Sequence, residues 1–262
     1  MQSLDQKVAI ISGGATLIGA AIAREFIESG GFAVIADIDE MAGVQLAREL
    51  GQRCAFVATD LIDDTQVRAC VAQTLQRFGR IDFLVNVACT YVDNGLASTR
   101  EEWRRGFDVN VTGSIMLLRA AHASMVKSGG GAVVNFGSVS AHVAQAGRWI
   151  YPTTKAAILQ LTRSQALDLA VDNIRVNAVS PGWTWSGVLD KVSGGNRNKT
   201  DEVAAPFHML GRVGDPRDVA NAVLFLCSDR AAFITGTNLA VDGGYSAMGP
   251  EQSLKPIIEL QQ

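Results

Sequence analysis

The sequence has few of the residues that build metal centres and disulfide frameworks. Its 262 residues include only four cysteines and three histidines, and no two cysteines form a Cys-x-x-Cys pair. The histidines are also far apart along the chain. Zinc sites normally draw on closely spaced cysteines and histidines, so we expect no metal site. Without a disulfide pattern, we expect the thiols to be reduced and mostly buried.

Long apolar runs and a strong excess of one charge are also missing. No stretch approaches the roughly 18 apolar residues that span a bilayer. The beginning of the chain lacks the charged-then-apolar layout of a signal peptide. The formal net charge is only −3, which gives no field able to recruit nucleic acid or an anionic membrane surface. We therefore expect a cytoplasmic protein that binds neither nucleic acid nor membranes.

What the sequence does contain is typical of a globular α/β protein. Hydrophobic residues make up 48% and charged residues 19%, a balance that excludes a disordered chain. Continuous apolar runs are typical of parallel strands covered on both faces, and their alternation with helices predicts βαβ units. The predicted strands cover residues 8–11, 33–36, 55–58, 83–85, 132–136, 174–179 and 239–241, and the main predicted helices cover 18–29, 41–50, 64–78, 111–127 and 151–171.

These elements predict one doubly wound parallel sheet, a Rossmann fold, in a single domain over residues 1–262. About seven strands are expected, with helices on both faces. One segment, residues 187–214, breaks the alternation and contains the polar run Gly-Gly-Asn-Arg-Asn-Lys at 194–199. A long insertion in a compact domain is often an active-site lid. A plain surface loop would have the same composition.

A glycine-containing turn follows the first predicted strand. Residues 12–19 read Ser-Gly-Gly-Ala-Thr-Leu-Ile-Gly and lead into a helix. Glycine lets a backbone approach a ligand closely, and the N–H groups at a helix N-terminus suit a pyrophosphate. Asp37, at the end of the second strand, lies where a carboxylate binds ribose hydroxyls and repels a 2′-phosphate. No Lys or Arg occurs in residues 12–18. The motif predicts a dinucleotide site that prefers NAD to NADP.

Tyr151 and Lys155 form a second functional pattern. In a helix, side chains four residues apart lie on one face. A phenol has an ordinary pKa near 10 and is a poor base at neutral pH unless a nearby positive charge favours its phenolate form. Ser138, just past the fifth strand, and Asn110 both lie at or beyond element ends, where α/β proteins bind ligands. Together the four residues predict an acid–base site.

On these motifs the sequence closely resembles the short-chain dehydrogenase/reductase family, from Lys7 to about Tyr245. Three positions depart from the family pattern: Ser12 replaces a threonine, Leu17 a common glycine, and Cys89 a glycine. Leu17 is expected to narrow the space beside the pyrophosphate. Further matches to the pattern are Thr59-Asp60-Leu61, Asn86-Val87-Ala88-Cys89, Pro181-Gly182, Ser186 and Val241-Asp242-Gly243-Gly244.

The resemblance implies an NAD-dependent enzyme that moves a hydride between a secondary alcohol and a ketone. Tyr151 would take the hydroxyl proton, Ser138 would hold the substrate oxygen, and Lys155 would hold the nicotinamide ribose and favour the Tyr151 phenolate. Asn110 would support a water that links Lys155 to solvent. The expected cofactor-binding residues are Ser12, Gly13, Thr16, Leu17, Ile18, Gly19, Asp37, Ile38, Asp60, Leu61, Asn86, Ala88, Tyr151, Lys155, Pro181, Gly182, Thr184 and Ser186.

The expected substrate side is rich in tryptophan, and the substrate itself is a small-molecule alcohol or ketone. Three indoles favour a flat or cyclic substrate, aromatic or sugar-like, although packing in the core or at an interface would explain each of them equally well. Arg148 either binds a substrate carboxylate or is solvated. The expected substrate residues are Ser138, Val139, His142, Trp149, Tyr151, Trp183 and Trp185, with Val143 nearby.

The chain is also expected to assemble with copies of itself. The helices predicted at 111–127 and 151–171 carry apolar residues on more than one face and so need a second neighbour besides the sheet. The family resemblance implies a homotetramer with two-fold symmetry. The tail at 249–262, with Ile257, Ile258 and Leu260, either docks on a neighbouring subunit or is disordered.

Two other functions compete with the alcohol dehydrogenase. The first is a reductase of a 3-oxoacyl or similar ketone, which shares the four-residue set. Such enzymes usually prefer NADPH, and Asp37 argues against that preference. The second is a non-catalytic NAD sensor, which would need no tyrosine–lysine pair. The presence of Tyr151 and Lys155 together with Asn110 and Ser138 favours the enzyme.

Overall fold

A computed structural model of the chain describes residues 4–249 and 255–260. Within these residues it contains a seven-stranded sheet of order β3-β2-β1-β4-β5-β6-β7, in which every neighbouring pair is parallel. The predicted Rossmann fold is confirmed. The strands are β1 Val8–Ser12, β2 Phe32–Asp37, β3 Cys54–Ala58, β4 Phe83–Asn86, β5 Gly131–Phe136, β6 Ile174–Pro181 and β7 Asn238–Val241.

Helices cover both faces of this sheet because each central strand is apolar on both sides. In β1, Ile10 packs into one cluster with Val67 and Leu117, whereas Ile11 packs into another with Phe26 and Val223. The helices are α1 Leu17–Glu28, α2 Glu40–Leu50, α3 Asp64–Phe78, α4 Arg100–Phe107, α5 Gly113–Lys127, α6 Ile150–Leu169, α7 Gly187–Ser193, α8 Arg197–Ala204, α9 Pro216–Cys227 and α10 Lys255–Leu260.

The helix predicted at 111–127 starts earlier and is interrupted. It begins as α4 at Arg100, widens into a π-helical turn over Asp108–Thr112, and continues as α5 from Gly113. A capping box between Thr99 and Glu102 starts α4, which explains how so polar a segment forms a helix. The π turn contains Asn110, which is buried. Such turns often mark functional sites.

The insertion at 187–214 is mostly helical rather than the loop that its polar run indicated. Helices α7 and α8 are separated by Gly194, which ends α7 in the left-handed conformation, and Asn196, which caps α8. The base of the insertion is closed by backbone hydrogen bonds from Gly214 to Trp183 (2.7 Å) and from Trp185 to Gly214 (2.9 Å). The insertion is therefore an excursion from the carboxyl end of β6, and its role as a lid stays a prediction.

Two expectations concern surfaces outside the core. No helix in residues 4–249 and 255–260 is long and apolar enough to cross a membrane. In α10, Ile258 and Leu260 are exposed, whereas residues 250–254 and the last two residues, and the side chain of Ile257, lie outside the described part of the chain. Docking of this tail on a neighbouring subunit stays a prediction.

Candidate active site

The glycine-containing turn after β1 lies in close contact with the chain that follows β4. Gly13 has φ +70°, and a Cβ atom added there would lie 2.6 Å from the backbone nitrogen of Ala88. The N–H of Ala88 donates to the carbonyl oxygen of Ser12 at 3.0 Å. A side chain at position 13 would therefore be strained and would collide with the backbone. Because position 13 has no side chain, the backbone of the turn is accessible to a ligand at the carboxyl edge of the sheet, where parallel α/β sheets bind ligands.

The same turn opens directly into α1. Thr16 caps the helix by accepting a hydrogen bond from the N–H of Gly19 (3.1 Å), and its hydroxyl donates to the carbonyl oxygen of Gly13 (2.7 Å). Leu17 begins the helix and is 44% exposed, so it borders the open side of the turn. No acidic residue lies in the first turn of α1. The unpaired N–H groups of this helix start therefore face no competing carboxylate of their own helix.

Asp37 supports the turn as well as the expected ribose site. One carboxylate oxygen accepts the N–H of Ala15 (2.9 Å), and the other accepts the N–H of Asp39 (3.1 Å). A carboxylate has about four acceptor positions, so each oxygen keeps a further lone pair for a ligand. The next residue, Ile38, is 68% exposed and carries no charge. No cation is supplied here by residues 37–41, which read Asp-Ile-Asp-Glu-Met.

Two buried polar atoms beside the turn have no hydrogen-bond partner. They are the hydroxyl oxygen of Ser12 and the amide oxygen of Asn86. The Asn86 amide nitrogen donates to Asn135 (2.8 Å), which in turn donates to Thr162 and Gln165. A buried polar group left unpaired costs about 1–3 kcal/mol. Unpaired polar atoms beside a glycine turn fit a site whose hydrogen bonds are completed by a polar ligand such as a dinucleotide.

The other predicted cofactor residues lie along the same carboxyl edge. Asp60 and Leu61 follow β3, and the Asp60 carboxylate accepts the N–H of Ile62 at 3.1 Å. Pro181 ends β6. Ser186 caps α7 by accepting the N–H of Leu189 at 3.4 Å. Of the remaining predicted residues, Ile18 lies in α1, and Gly182 and Thr184 lie in the chain just after β6.

Tyr151 and Lys155 lie on one buried face of α6. Their exposed fractions are 8% and 3%. The Lys155 Nζ atom lies 5.5 Å from the centre of the Tyr151 ring and donates a 2.8 Å hydrogen bond to the carbonyl oxygen of Phe136. Because Phe136 ends β5, this bond ties the ammonium group to the carboxyl edge of the sheet. The predicted phenol–ammonium pairing is present in the structure.

Asn110 links three elements around this face. Its amide nitrogen donates to the carbonyl oxygen of Thr90 (3.1 Å) and to the hydroxyl of Thr154 in α6 (3.0 Å). Its amide oxygen accepts the N–H of Thr90 (2.7 Å). Asn110 therefore binds the segment after β4 and the helix that carries Tyr151. A water linking it to Lys155 stays an expectation of the family resemblance.

Ser138 lies just past β5 and is buried. Its hydroxyl donates to Ser140 (3.2 Å) and accepts the N–H of the same residue (3.1 Å). Ser140 in turn donates to Gln145 at 2.8 Å. The short helical turn at Val139–Ala141 packs against α6, which brings Ser138 to the same side of the molecule as Tyr151. These bonds hold the Ser138 side chain in place.

Sequence reasoning missed two side chains in the segment after β4. The ring of Tyr91 stacks on that of Tyr151, with 4.9 Å between ring centres and 22° between ring planes. The carboxylate of Asp93 accepts the N–H groups of Trp149 and Tyr151 at the start of α6. The segment directly follows Asn86, at the edge where ligands bind, and that position was the one available signal. No periodicity indicates contacts between residues so far apart in sequence.

Two of the expected substrate residues line the same cavity. A cavity of about 290 Å³ is lined by Val139 and His142 together with five residues of β6, β7 and the chain after β7. None of the three expected tryptophans borders it. Trp183 packs on Phe207, and Trp185 lies under the guanidinium of Arg197. Trp149 is exposed by 49%. For Trp183 and Trp185 the structure favours the packing alternative, because each indole already has a neighbour from the insertion.

A second cavity, of about 640 Å³, lies at the opposite edge of the sheet. It is lined by Phe32, Phe78 and three arginines among other residues. Arg77 donates to the carbonyl oxygens of Gln52 and Cys54, and Arg80 binds Asp82. These guanidinium groups are already engaged. The cavity is far from the turn and from Tyr151, so it forms no part of the candidate site.

The chain is similar to many oxidoreductases. A family model described as enoyl-(acyl carrier protein) reductase matches residues 13–246. An uncharacterised oxidoreductase of Thermotoga maritima is 39% identical over 92% of this chain and 96% of its own. Cis-4-hydroxycyclohexanecarboxylate dehydrogenase of Sinomonas cyclohexanicum is 35% identical over 94% and 99%. The structure of L-sorbose reductase from Gluconobacter frateurii, complexed with NADPH and L-sorbose, is 31% identical over 93% and 97%, with a TM-score of 0.86.

Proposed function

Since the chain belongs to the short-chain dehydrogenase/reductase family, we propose that it is an NAD-dependent oxidoreductase that transfers a hydride between a secondary alcohol and the corresponding ketone. The observation that carries this proposal is the buried pairing of Tyr151 with Lys155, whose Nζ lies 5.5 Å from the phenol ring. The pairing places a phenolic oxygen, a group able to take up and return a proton, beside an ammonium group that the structure holds in place.

The residues that would hold NAD are those of the turn and the carboxyl edge. Ser12, Gly13 and the start of α1 would receive the pyrophosphate, and Asp37 the adenine ribose. Asn86 offers its unpaired amide oxygen beside the turn. Lys155, fixed by its bond to Phe136, would hold the nicotinamide ribose. When bound, the cofactor supplies the hydride-transfer chemistry.

The residues of the chain would control the proton and the substrate oxygen. Tyr151 accepts the proton of the substrate hydroxyl at its phenolic oxygen. Ser138, whose oxygen accepts the N–H of Ser140, would turn its hydroxyl away from the Ser140 side chain, donate a hydrogen bond to the substrate oxygen and keep it in reach. Asn110 keeps α6 in place through Thr154. In the reverse direction Tyr151 returns the proton to the ketone oxygen.

The acidic surroundings of Asp37 support NAD rather than NADP. Residues 37–41 contain three carboxylates and no cation, and a 2′-phosphate placed there would meet repulsion. L-sorbose reductase is complexed with NADPH, so the preference needs its own test. Initial rates with NAD and NADP under one set of conditions are expected to favour NAD by at least about tenfold, equal to ~1.4 kcal/mol. Equal rates would contradict this part of the proposal.

A ring alcohol that carries a carboxylate is the substrate class that we propose. The Arg148 guanidinium lies 5.9 Å from the centre of the Tyr151 ring, and among the described residues it has no carboxylate partner. Arginine binds carboxylates in two-point fashion. Two relatives act on hydroxycyclohexanecarboxylates, whereas others act on sorbitol and L-fucose.

The test is a panel of alcohols read by the absorbance of the reduced cofactor. It contains 4-hydroxycyclohexanecarboxylate, cyclohexanol (the same ring without the carboxylate), sorbitol and L-fucose, each with NAD and with NADP. The corresponding ketones and a 3-oxoacyl thioester are assayed with NADH and with NADPH. We expect turnover with ring alcohols and NAD, fastest with the carboxylated ring. Turnover only in the direction of ketone reduction with NADPH would favour the 3-oxoacyl-type reductase. Binding of NAD without turnover of any alcohol or ketone would favour the NAD sensor.

The assembly and location of the protein are separate proposals. The homotetramer follows from the family resemblance, whereas the cytoplasmic location rests on the sequence composition alone. Exposed apolar side chains on α6, such as Leu167, support a subunit contact. Sedimentation analysis at several protein concentrations tests the tetramer. A monomer at micromolar concentration would contradict it.

A further inference from the structure

Helix α6 begins without a cap of its own. Its first flanking residue, Trp149, makes no side-chain cap hydrogen bond. The cap comes instead from Asp93, more than fifty residues earlier in the chain. One carboxylate oxygen accepts the N–H of Trp149 (2.9 Å) and of Gly95 (3.1 Å), and the other accepts the N–H of Tyr151 (2.9 Å). The backbone of Tyr151 is thus bonded directly to a remote carboxylate.

This cap is charged under ordinary conditions. Partial burial opposes ionisation of Asp93, but hydrogen bonds from the backbone of Trp149, Tyr151, Gly95 and Ile150 outweigh it and hold the pKa of Asp93 below its usual value. A negative charge at a helix start also interacts favourably with the helix dipole. Removing the carboxylate would leave N–H groups of α6 without partners at the turn that carries Tyr151.

A second contact from the same segment fixes the ring of Tyr151. Tyr91 lies two residues before Asp93, and its ring stacks on the Tyr151 ring at 4.9 Å. The nearby Cys89 thiol is the largest cause of a raised pKa for Tyr91, and desolvation of the hydroxyl and the neighbouring Tyr151 raise that pKa further, although the residue as a whole is 47% exposed. Tyr91 therefore stays a neutral phenol across the physiological range. Its hydroxyl can donate a hydrogen bond, but it does not compete with Tyr151 as a base.

The segment that carries both contacts is itself held by Asn110. The backbone of Thr90, between Cys89 and Tyr91, exchanges two hydrogen bonds with the Asn110 side chain, at 2.7 Å and 3.1 Å. Asn110 also bonds Thr154 of α6. Three successive anchors therefore join residues 90–93 to one helix: Thr90 through Asn110, Tyr91 through its ring, and Asp93 through its carboxylate.

We propose that residues 90–93 form a positioning clamp for Tyr151, in which Asp93 fixes the backbone of that residue and Tyr91 fixes the plane of its ring. The inference rests on the proposed function, because it assigns the clamp to the proton-accepting residue. Asp93 and Tyr91 are positioning residues, since they act through Tyr151. Without the clamp the phenolic oxygen samples positions out of reach of the substrate hydroxyl, and small misplacements of this kind cost large factors in rate.

The main test compares the loss of two helix caps. Asp93→Ala removes the cap of α6. The matched control is Asp63→Ala, because Asp63 caps α3 by accepting the backbone N–H groups of Thr65 (2.8 Å) and Gln66 (3.3 Å). The pKa of Asp63 is also lowered, by these two bonds and by one from the Gln66 side chain. Both variants are expected to lower Tm by a similar amount. Asp93→Ala is expected to lower kcat by ~10- to 100-fold with little change in NADH affinity, whereas Asp63→Ala keeps kcat within about threefold.

A readout that needs no turnover separates this inference from the proposed function. The chain has only three tyrosines, Tyr91, Tyr151 and Tyr245, so ¹³C-tyrosine NMR gives three ring signals, and Tyr151→Phe identifies one of them. Stacking by Tyr91 shifts the Tyr151 ring signal through the ring current. We expect Asp93→Ala and Tyr91→Leu to move or broaden that signal, and Tyr91→Phe and Asp63→Ala to leave it near its original position.

The outcomes are distinct. An unmoved Tyr151 signal in both Asp93→Ala and Tyr91→Leu overturns the clamp, as does a kcat loss in Asp93→Ala no greater than in the Asp63 control. If Asp93→Ala fails to fold, Asp93→Asn replaces it, because the amide keeps one acceptor oxygen and the measurements are then made on a folded protein. If these variants move the Tyr151 signal and the wild-type protein turns over no alcohol, the clamp is supported and the proposed function is rejected.

Discussion

The Nζ atom of Lys155 lies 5.5 Å from the centre of the Tyr151 ring, and both residues are buried on one face of α6. The distance is short enough for the ammonium charge to act on the phenol, because screening by water is weak in a buried site. The lysine is also fixed at its far end by Phe136. This relationship makes the acid–base proposal testable one residue at a time.

Tyr151→Phe is the first test. The change removes only the phenolic oxygen, so the fold, the stack with Tyr91 and the cofactor site should persist. We expect turnover to fall by at least ~10²-fold, the usual effect of removing an acid–base group. NADH binding, followed by fluorescence titration, should change by less than about threefold. Near-normal kcat in this variant would remove Tyr151 from the mechanism.

Asp37 allows a prediction with two separable parts. Asp37→Asn removes the charge but keeps an acceptor for the Ala15 N–H, whereas Asp37→Ala loses that bond as well. Both variants should bind NADP better relative to NAD, since the repulsion of the 2′-phosphate is reduced. Only Asp37→Ala should also weaken NAD binding through loosening of the turn. Kd values for both cofactors check this, and an unchanged NAD to NADP ratio in both variants would refute the assignment of Asp37.

Gly19 tests the tightness of the turn. A Cβ atom there would lie 2.3 Å from the carbonyl oxygen of Gly13, closer than atoms can approach without a backbone shift. Gly19→Ala is therefore expected to lower Tm by several degrees and to weaken NADH binding at least tenfold. Gly187→Ala is the control, because an added Cβ there meets nothing within 4 Å. If Gly19→Ala bound NADH as tightly as the control, the turn would not be the cofactor cradle.

Tyr151, Asp37 and Gly19 could be identified from the sequence, because they lie at or near strand ends and helix starts. Strand ends and helix starts follow from local patterns: the helix predicted at 64–78 is observed as Asp64–Phe78, and Asp37 ends β2 as expected. Helix α4 was missed because its eight residues are mostly charged and it depends on the Thr99 cap and packing against α6. Long-range contacts such as Asp93 with Tyr151 leave no local pattern and became visible only in three dimensions.

Arg148 tests the proposed substrate class. Its guanidinium lies near Tyr151 without a carboxylate partner among the described residues. Arg148→Gln should raise KM for 4-hydroxycyclohexanecarboxylate about tenfold or more, because a hydrogen bond between charged groups contributes ~1.5–3 kcal/mol. KM for cyclohexanol should stay within about twofold. Equal effects on both alcohols would show that Arg148 does not recognise a carboxylate.

The Asp93 cap also predicts how stability depends on pH. Its pKa is lower in the folded protein than the ordinary value of about 3.9, because the backbone hydrogen bonds outweigh the cost of burial. A carboxylate with a lowered folded-state pKa stabilises the fold fully above its unfolded-state pKa, and this contribution is lost as pH falls through the folded-state value.

The measurement is the difference in Tm between wild type and Asp93→Asn as a function of pH. The amide does not titrate, so the variant serves as a reference for all other groups. The difference should be constant from pH 7 to about pH 5 and should shrink as the pH falls below about 4, since the wild-type carboxylate then takes up a proton. A difference that grew on acidification would mean that the pKa of Asp93 is higher in the folded than in the unfolded protein. In that case the protonated carboxyl would be the better cap of α6, and charge on Asp93 would not help to hold the helix that carries Tyr151.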